Sequence, residues 1–217
     1  MSNRSDKLSA GYVLAGGASR RFGADKALVE LGAKAMLARM LEVIGSGTAV
    51  GEGVACDTFL IGRAEKYERF GAPCIEDCWP GEGPLGGIVT ALLHASETAR
   101  HGDWNLILSC DMPFLTADWL RFLVERAAKS SAQVVLAHSA QGPEPLCACW
   151  RTDAVSTLRP AFERGVRKVT EGIALLRAEV LDECDWKRFD SAGRLFWNMN
   201  TQSDYEEARR IIEAEPG

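Results

Sequence analysis

Histidine is scarce in this chain, with three in 217 residues, and they stand far apart at His94, His101 and His138. That excludes the usual imidazole-rich metal centres and any mechanism needing several histidine bases. Seven cysteines are present, but Cys74 and Cys78 are four apart and Cys147 alternates with Cys149 along an apolar run. Neither pair has the spacing and nearby histidines of a zinc site, so free thiols of a reducing cytoplasm are expected. No apolar run approaches the roughly 20 residues of a membrane span. The polar opening MSNRSDKLSAG lacks a secretory core, and a cytoplasmic chain without a membrane partner is expected. The net charge of −5 argues against nonspecific binding of nucleic acid.

Two common nucleotide signatures are also missing. A P-loop requires glycine, four residues, then Gly-Lys-Ser/Thr. Here Gly17 and Gly23 are separated by five residues, and Lys26 is followed by Ala27 rather than a hydroxyl. A GxGxxG turn is absent as well. A metal held with a nucleotide therefore takes its protein ligand from elsewhere in the chain.

What is present is the stretch Leu14 to Lys26, LAGGASRRFGADK. It follows a strand-like run and precedes an amphipathic helical segment near Ala35 to Ile44. Gly16 and Gly17 allow the backbone to turn sharply and bring N–H groups against an anion. Arg20, Arg21 and Lys26 add two planar forks and one mobile point charge, a set matched to a triphosphate. The competing reading is a surface turn with solvated charges.

Short apolar runs at Leu8–Ala15, Asp57–Gly62, Pro73–Asp77, Trp104–Cys110, Ala132–Ala137 and Pro145–Arg151 predict strands. Helices are predicted near Leu85–Ala99, Asp118–Lys129, Asp153–Glu163, Val169–Ala178 and Ser203–Glu213. Thr116 is the expected cap of the second, and Thr201 or Ser203 of the last. Gly45–Val54 and Ser139–Glu144 are read as loops, and Val180–Phe189 is ambiguous. Alternating strands and helices imply a single α/β domain over residues 1–217, with residues 1–7 as a disordered tail. Its architecture is a doubly wound, mostly parallel sheet in three α/β/α layers.

Two acids stand at expected strand ends. Asp77 opens DCWPGEGPLGG, whose glycines suit a backbone lying close to a ligand, with Pro84 fitted to a first helical turn. Asp111 follows the clearest buried strand, WNLILSC, and faces the crevice where parallel sheets bind ligands. It is a cap, a turn former or a magnesium ligand, and the triphosphate loop nearby favours the metal. Arg164, Arg167 and Lys168 crowd a helix junction, either as a second anion-facing patch or as a solvated helix end.

The motifs LAGGASRRFGADK, IEDCWPGEGPLGG, SCDMPFL, PLCACWR and FWNMNTQSD, in this order, resemble the molybdenum cofactor guanylyltransferase family, a branch of the Rossmann-like nucleotidyltransferases. The resemblance implies a cytoplasmic enzyme joining GMP from GTP to the phosphate of molybdopterin, with Mg2+ required and pyrophosphate released. It implies small-molecule substrates and transient contact with other molybdenum cofactor biosynthesis proteins. It places Leu14, Ala15 and Gly16 against the guanine nucleotide and Asp77 against the nucleoside, while Gly17 and Gly87, in the two glycine-bearing loops, are further nucleotide-binding candidates. Lys26 and Arg21 would meet phosphates, Asp111 the metal, and Asn198 and Asn200 the pterin side. Two departures stand out: no asparagine occurs near Leu60 on the second strand, and Gln202 replaces a proline. The rival readings are a cytidylyltransferase on the same pterin, a sugar-phosphate nucleotidyltransferase and a noncatalytic nucleotide-binding regulator. A flavodoxin-like module is disfavoured by the lack of aromatic stacking loops.

Overall fold

The computed structural model describes residues 7–15, 25–48, 56–98 and 103–214. Gly16, Gly17, Arg20 and Arg21 lie outside the described residues, as does all of the expected N-terminal tail except Lys7.

The strands are β1 (Leu8–Leu14), β2 (Glu30–Leu31), β3 (Lys34–Ala35), β4 (Asp57–Ile61), β5 (Cys74–Ile75), β6 (Trp104–Ser109), β7 (Val134–Ser139), β8 (Gly142–Arg151) and β9 (Ala178–Leu181). The α-helices are α1 (Met36–Thr48), α2 (Ala64–Tyr67), α3 (Pro84–Glu97), α4 (Ala117–Ala127), α5 (Val155–Glu163), α6 (Val169–Ile173), α7 (Glu183–Trp186) and α8 (Gln202–Ala214). Seven strands form one sheet in the order β5-β4-β1-β6-β8-β7-β9, and β2 and β3 make a small separate hairpin. Only β8 runs against the others in the large sheet, pairing antiparallel with both β6 and β7. The expected mostly parallel, doubly wound α/β fold is the one observed.

Both faces of the sheet are covered, and strand periodicity divides the core in two. Val13 of β1 and Leu106 and Leu108 of β6 face α1 and α4, whose Met36, Met40, Ile44, Trp119 and Leu123 complete one cluster. Tyr12 and Leu14 of β1 and Ile107 of β6 face α3 and α5, packing on Ile88, Leu92, Leu158 and Phe162. Alternate residues of one strand thus feed opposite layers, giving the three-layer sandwich.

Several boundaries differ from expectation. Gly45 and Gly47 do not end α1, which continues to Thr48. Gly47 serves packing, because a Cβ there would lie 2.7 Å from Leu120 Cβ and 3.1 Å from the Ala117 carbonyl of α4. The predicted loop at Ser139–Glu144 is a hairpin turn, with β8 starting at Gly142. The helix expected through Ala178 stops at Ile173, and Ala178–Leu181 pair with β7 as the edge strand β9. Thr116 caps α4 by accepting the Trp119 N–H, and Pro84 takes the first turn of α3, both as predicted.

Thr201 begins α8 through a reciprocal pair of contacts. Its hydroxyl accepts the Asp204 N–H at 3.2 Å, while Asp204 Oδ2 accepts the N–H groups of Asn200 and Thr201 at 2.8 and 2.7 Å. Partial desolvation pushes the Asp204 carboxyl up. The hydrogen bonds and the charge of Lys26 outweigh it and hold the group below its ordinary value of 3.8.

Replacing Gly47 by valine should destabilise the protein by about 2–3 kcal/mol through overpacking at the α1–α4 crossing, read by urea denaturation. Because folding lowers the pKa of Asp204, its stabilisation is complete above the unfolded value and lost as pH falls through the folded one. The melting-temperature gap between wild type and Asp204→Ala should therefore be present at pH 7 and close in acid, below the ordinary aspartate range.

Candidate active site

The C-terminal ends of the strands form the floor of a cavity of about 380 Å³. In register, Leu14 of β1 lies beside Ile61 of β4 on one side and Ser109 of β6 on the other. All three line the cavity, and Leu146 of the reversed strand β8 continues the row. The walls come from Ala15, Asp25 and Lys26 after β1, from Asp77 and the Gly81–Gly87 segment after β5, and from Cys110 and Asp111 after β6. Ligands enter open α/β sheets at this edge.

Asp77 and Asp111 each stand two residues beyond their strand. Asp77 Oδ1 accepts the Trp79 N–H at 3.0 Å and the Thr90 hydroxyl at 3.1 Å, which folds the glycine-rich segment over the start of α3. Within that helix Gly87 eases close approach: a Cβ would come a tight 3.2 Å from Leu14 Cδ2. Bare backbone at this point keeps the cavity open between β1 and α3.

The central contact joins three distant parts of the chain. Lys26 Nζ donates to Asn200 Oδ1 at 2.8 Å and to Asp111 Oδ2 at 3.3 Å. The Lys26 and Asp111 side chains are only 14% and 20% exposed, so their attraction is less screened than a surface pair's. Ser109 donates to Asp111 Oδ1 at 2.5 Å, and the Met199 N–H reaches the Asp111 carbonyl at 2.8 Å. Asp111 is thus fixed by its own strand and by the segment before α8, while its carboxylate faces the lysine.

Of the residues singled out in the sequence, Leu14, Ala15, Lys26, Asp77, Gly87 and Asp111 meet at this cavity. Asn200 reaches it through Lys26. Asn198 does not, for its amide folds back on the Phe196 carbonyl at 3.1 Å. Leu60, the position marked for a missing asparagine, is fully buried, and its neighbour Ile61 borders the cavity. Arg167 is engaged away from the cavity floor: it pairs with Glu82 at 2.6 Å and stacks 4.0 Å from the Phe162 ring centroid. Lys168 pairs with Glu171 at 3.6 Å, so two of the three basic residues at this junction are in ion pairs. Asp25, Ile61, Ser109 and Leu146 were not anticipated. Asp25 stood beside Lys26 in the motif, but the apolar members carry no signal that separates them from the core.

Magnesium usually keeps several waters and binds through one or two carboxylates together with substrate phosphates. Asp111 at a strand end, with a lysine within reach, fits that demand. Among the described residues no cluster of three or more histidine, cysteine or acidic side chains forms a self-sufficient metal cage. All seven cysteines are free thiols. Burial pushes the Cys110 thiol far up, with the Asp111 charge adding to the effect, so the thiol beside the cavity stays neutral. Among the described residues no helix is long and apolar enough to cross a membrane.

Known proteins match this arrangement along most of its length. The MobA-like NTP transferase domain family matches residues 11–180. A probable molybdenum cofactor guanylyltransferase of Pelotomaculum thermopropionicum is 29% identical over 204 residues, covering 94% of this chain and 93% of the relative. The molybdenum cofactor guanylyltransferase of Rhodopseudomonas palustris is 31% identical over 205 residues, covering 92% and 91%. Among solved structures, molybdopterin-guanine dinucleotide biosynthesis protein A of Archaeoglobus fulgidus superposes with a TM-score of 0.78 at 26% identity, covering 95% of this chain and all of that one. The chain, with its strand-end cavity and near-complete match, belongs to the MobA-like NTP transferase family.

Proposed function

We propose that this protein transfers GMP from GTP to the terminal phosphate of molybdopterin, forming the guanine dinucleotide and pyrophosphate. The observation that carries the reading is the Lys26–Asp111–Asn200 contact at the mouth of a nucleotide-sized cavity. The names of the relatives support the choice of guanine nucleotide and pterin.

Leu14, Ala15, Gly87 and the Asp77 segment hold the nucleoside in the crevice. Gly16, Gly17 and Arg21 are assigned to the phosphates by motif. Lys26 exchanges its contact with Asp111 for phosphate oxygens when the triphosphate enters. Mg2+ bound by Asp111 and the phosphates would supply charge neutralisation at the reacting phosphorus. Lys26 then offsets charge on the departing pyrophosphate, and Asn200, held at its backbone by Asp204, orients the ammonium. The acceptor phosphate is already ionised at neutral pH, so the reaction needs no histidine base. Asn198 is assigned to the pterin side by motif alone. One domain spanning the whole chain, in a cytoplasmic setting with transient delivery of the pterin by another protein, completes the reading.

Asp111→Ala should keep the fold and lower pyrophosphate release at least about 10²–10³-fold, the scale of losing one charge-stabilising group. EDTA should abolish turnover of the wild type and added Mg2+ restore it; near-normal rates in either test would refute the metal role. With molybdopterin supplied, pyrophosphate release should be faster with GTP than with CTP or ATP. Preference for CTP would establish the cytidylyltransferase reading, and tight GTP binding without any release would establish the noncatalytic regulator.

A further inference from the structure

One oxygen atom touches both ends of the glycine- and arginine-bearing stretch. The Tyr67 hydroxyl lies 2.8 Å from the Ala15 carbonyl oxygen, where β1 has just ended, and 2.9 Å from Asp25 Oδ2, just before Lys26. Tyr67 closes the short helix α2 and is 2% exposed, its ring packed in the same core cluster as Ala15 and Ala27. Asp25 is held from other sides too. Lys66 donates to its Oδ2 at 3.0 Å, and its Oδ1 accepts the Ala27 N–H at 3.3 Å. That last contact starts the turn Lys26–Leu28 from which Lys26 reaches Asp111 and Asn200.

We propose that Tyr67 and Asp25 form a clamp that holds Ala15, at the end of β1, against the start of the turn Lys26–Leu28 and so positions Lys26 for the nucleotide. These are positioning residues: neither has to touch the reacting atoms. The kinetic part of this inference rests on the guanylyltransferase reading, whereas the clamp itself does not.

The chemistry is that of a single phenolic proton shared by two acceptors, one of them charged. Without that proton, the Ala15 carbonyl and the Asp25 carboxylate would face each other as two acceptors, and their repulsion would drive the ends apart. Burial, and then the hydrogen bond and charge of Asp25, raise the Tyr67 phenol far above its ordinary range. The phenol therefore keeps its proton near neutral pH. Lys66 neutralises Asp25, so the charge of Lys26 is left for Asp111 and the ligand.

The test is Tyr67→Phe, which removes the hydroxyl and keeps the ring. Trypsin cleavage after Arg20 and Arg21, followed by mass spectrometry without nucleotide, reads the clamp independently of activity. Cleavage there should quicken about tenfold relative to the other tryptic sites, the scale of losing a hydrogen bond to a charged group. In the complete reaction, KM for GTP should rise by a similar factor while kcat changes less than about threefold. Asp25→Asn, which keeps an acceptor for the hydroxyl but loses the charge, should fall between wild type and Tyr67→Phe in both assays. Unchanged relative cleavage, or a uniform increase at all tryptic sites, would overturn the clamp. A fall in kcat at unchanged KM would overturn its role in positioning the nucleotide. If the wild type releases no pyrophosphate from GTP, the functional reading fails while the cleavage comparison still decides the clamp.

Discussion

A half-buried ammonium shared between a carboxylate and an amide organises this molecule's working edge. Lys26 follows the first strand, Asp111 follows the fourth strand of the large sheet in chain order, and Asn200 precedes the last helix. None of the three is near another in sequence, and their meeting depends on β1 and β6 lying side by side. Electrostatic attraction between them is strengthened by partial exclusion of water, and each partner is separately held by backbone contacts.

The floor beneath that cation explains why the cavity exists. Ile61, Leu14, Ser109 and Leu146 sit in adjacent positions across four strands, and the helix over them approaches closely because Gly87 has no side chain. Apolar walls with a few fixed polar groups are the usual composition of small-molecule sites. Here Asp77 and Asp111 stand two residues beyond their strands, and Lys26 reaches Asp111 from its own turn through a long side chain.

Much of this was legible in the amino-acid order. The buried run before Asp111 and the turn residues after Asp77 identified strand ends, because hydrophobic periodicity and glycine content are local properties. Thr116 and Pro84 marked their helix starts for the same reason. The extension of α1 through Gly45 and Gly47 was not legible, since the reason lies in α4, 70 residues away in the chain. The edge strand β9 was missed because its four residues, two of them charged or small, gain their pairing from β7 rather than from their own pattern. Nothing in the residues around Tyr67 marks it out. Its importance depends on which two distant acceptors the fold brings to its hydroxyl. Asn198 and Asn200 are chemically equal in the motif, and only the path of the backbone decides which one reaches the lysine.

The Asp204 carboxylate has two duties at once. It satisfies the N–H groups of Asn200 and Thr201, which start α8, and by doing so it fixes the backbone from which Asn200 reaches inward. One carboxylate thus joins the first turn of α8 to the side chain that meets the Lys26 ammonium. The start of a helix on the outside of the protein thereby sets the place of a side chain at the rim of the cavity.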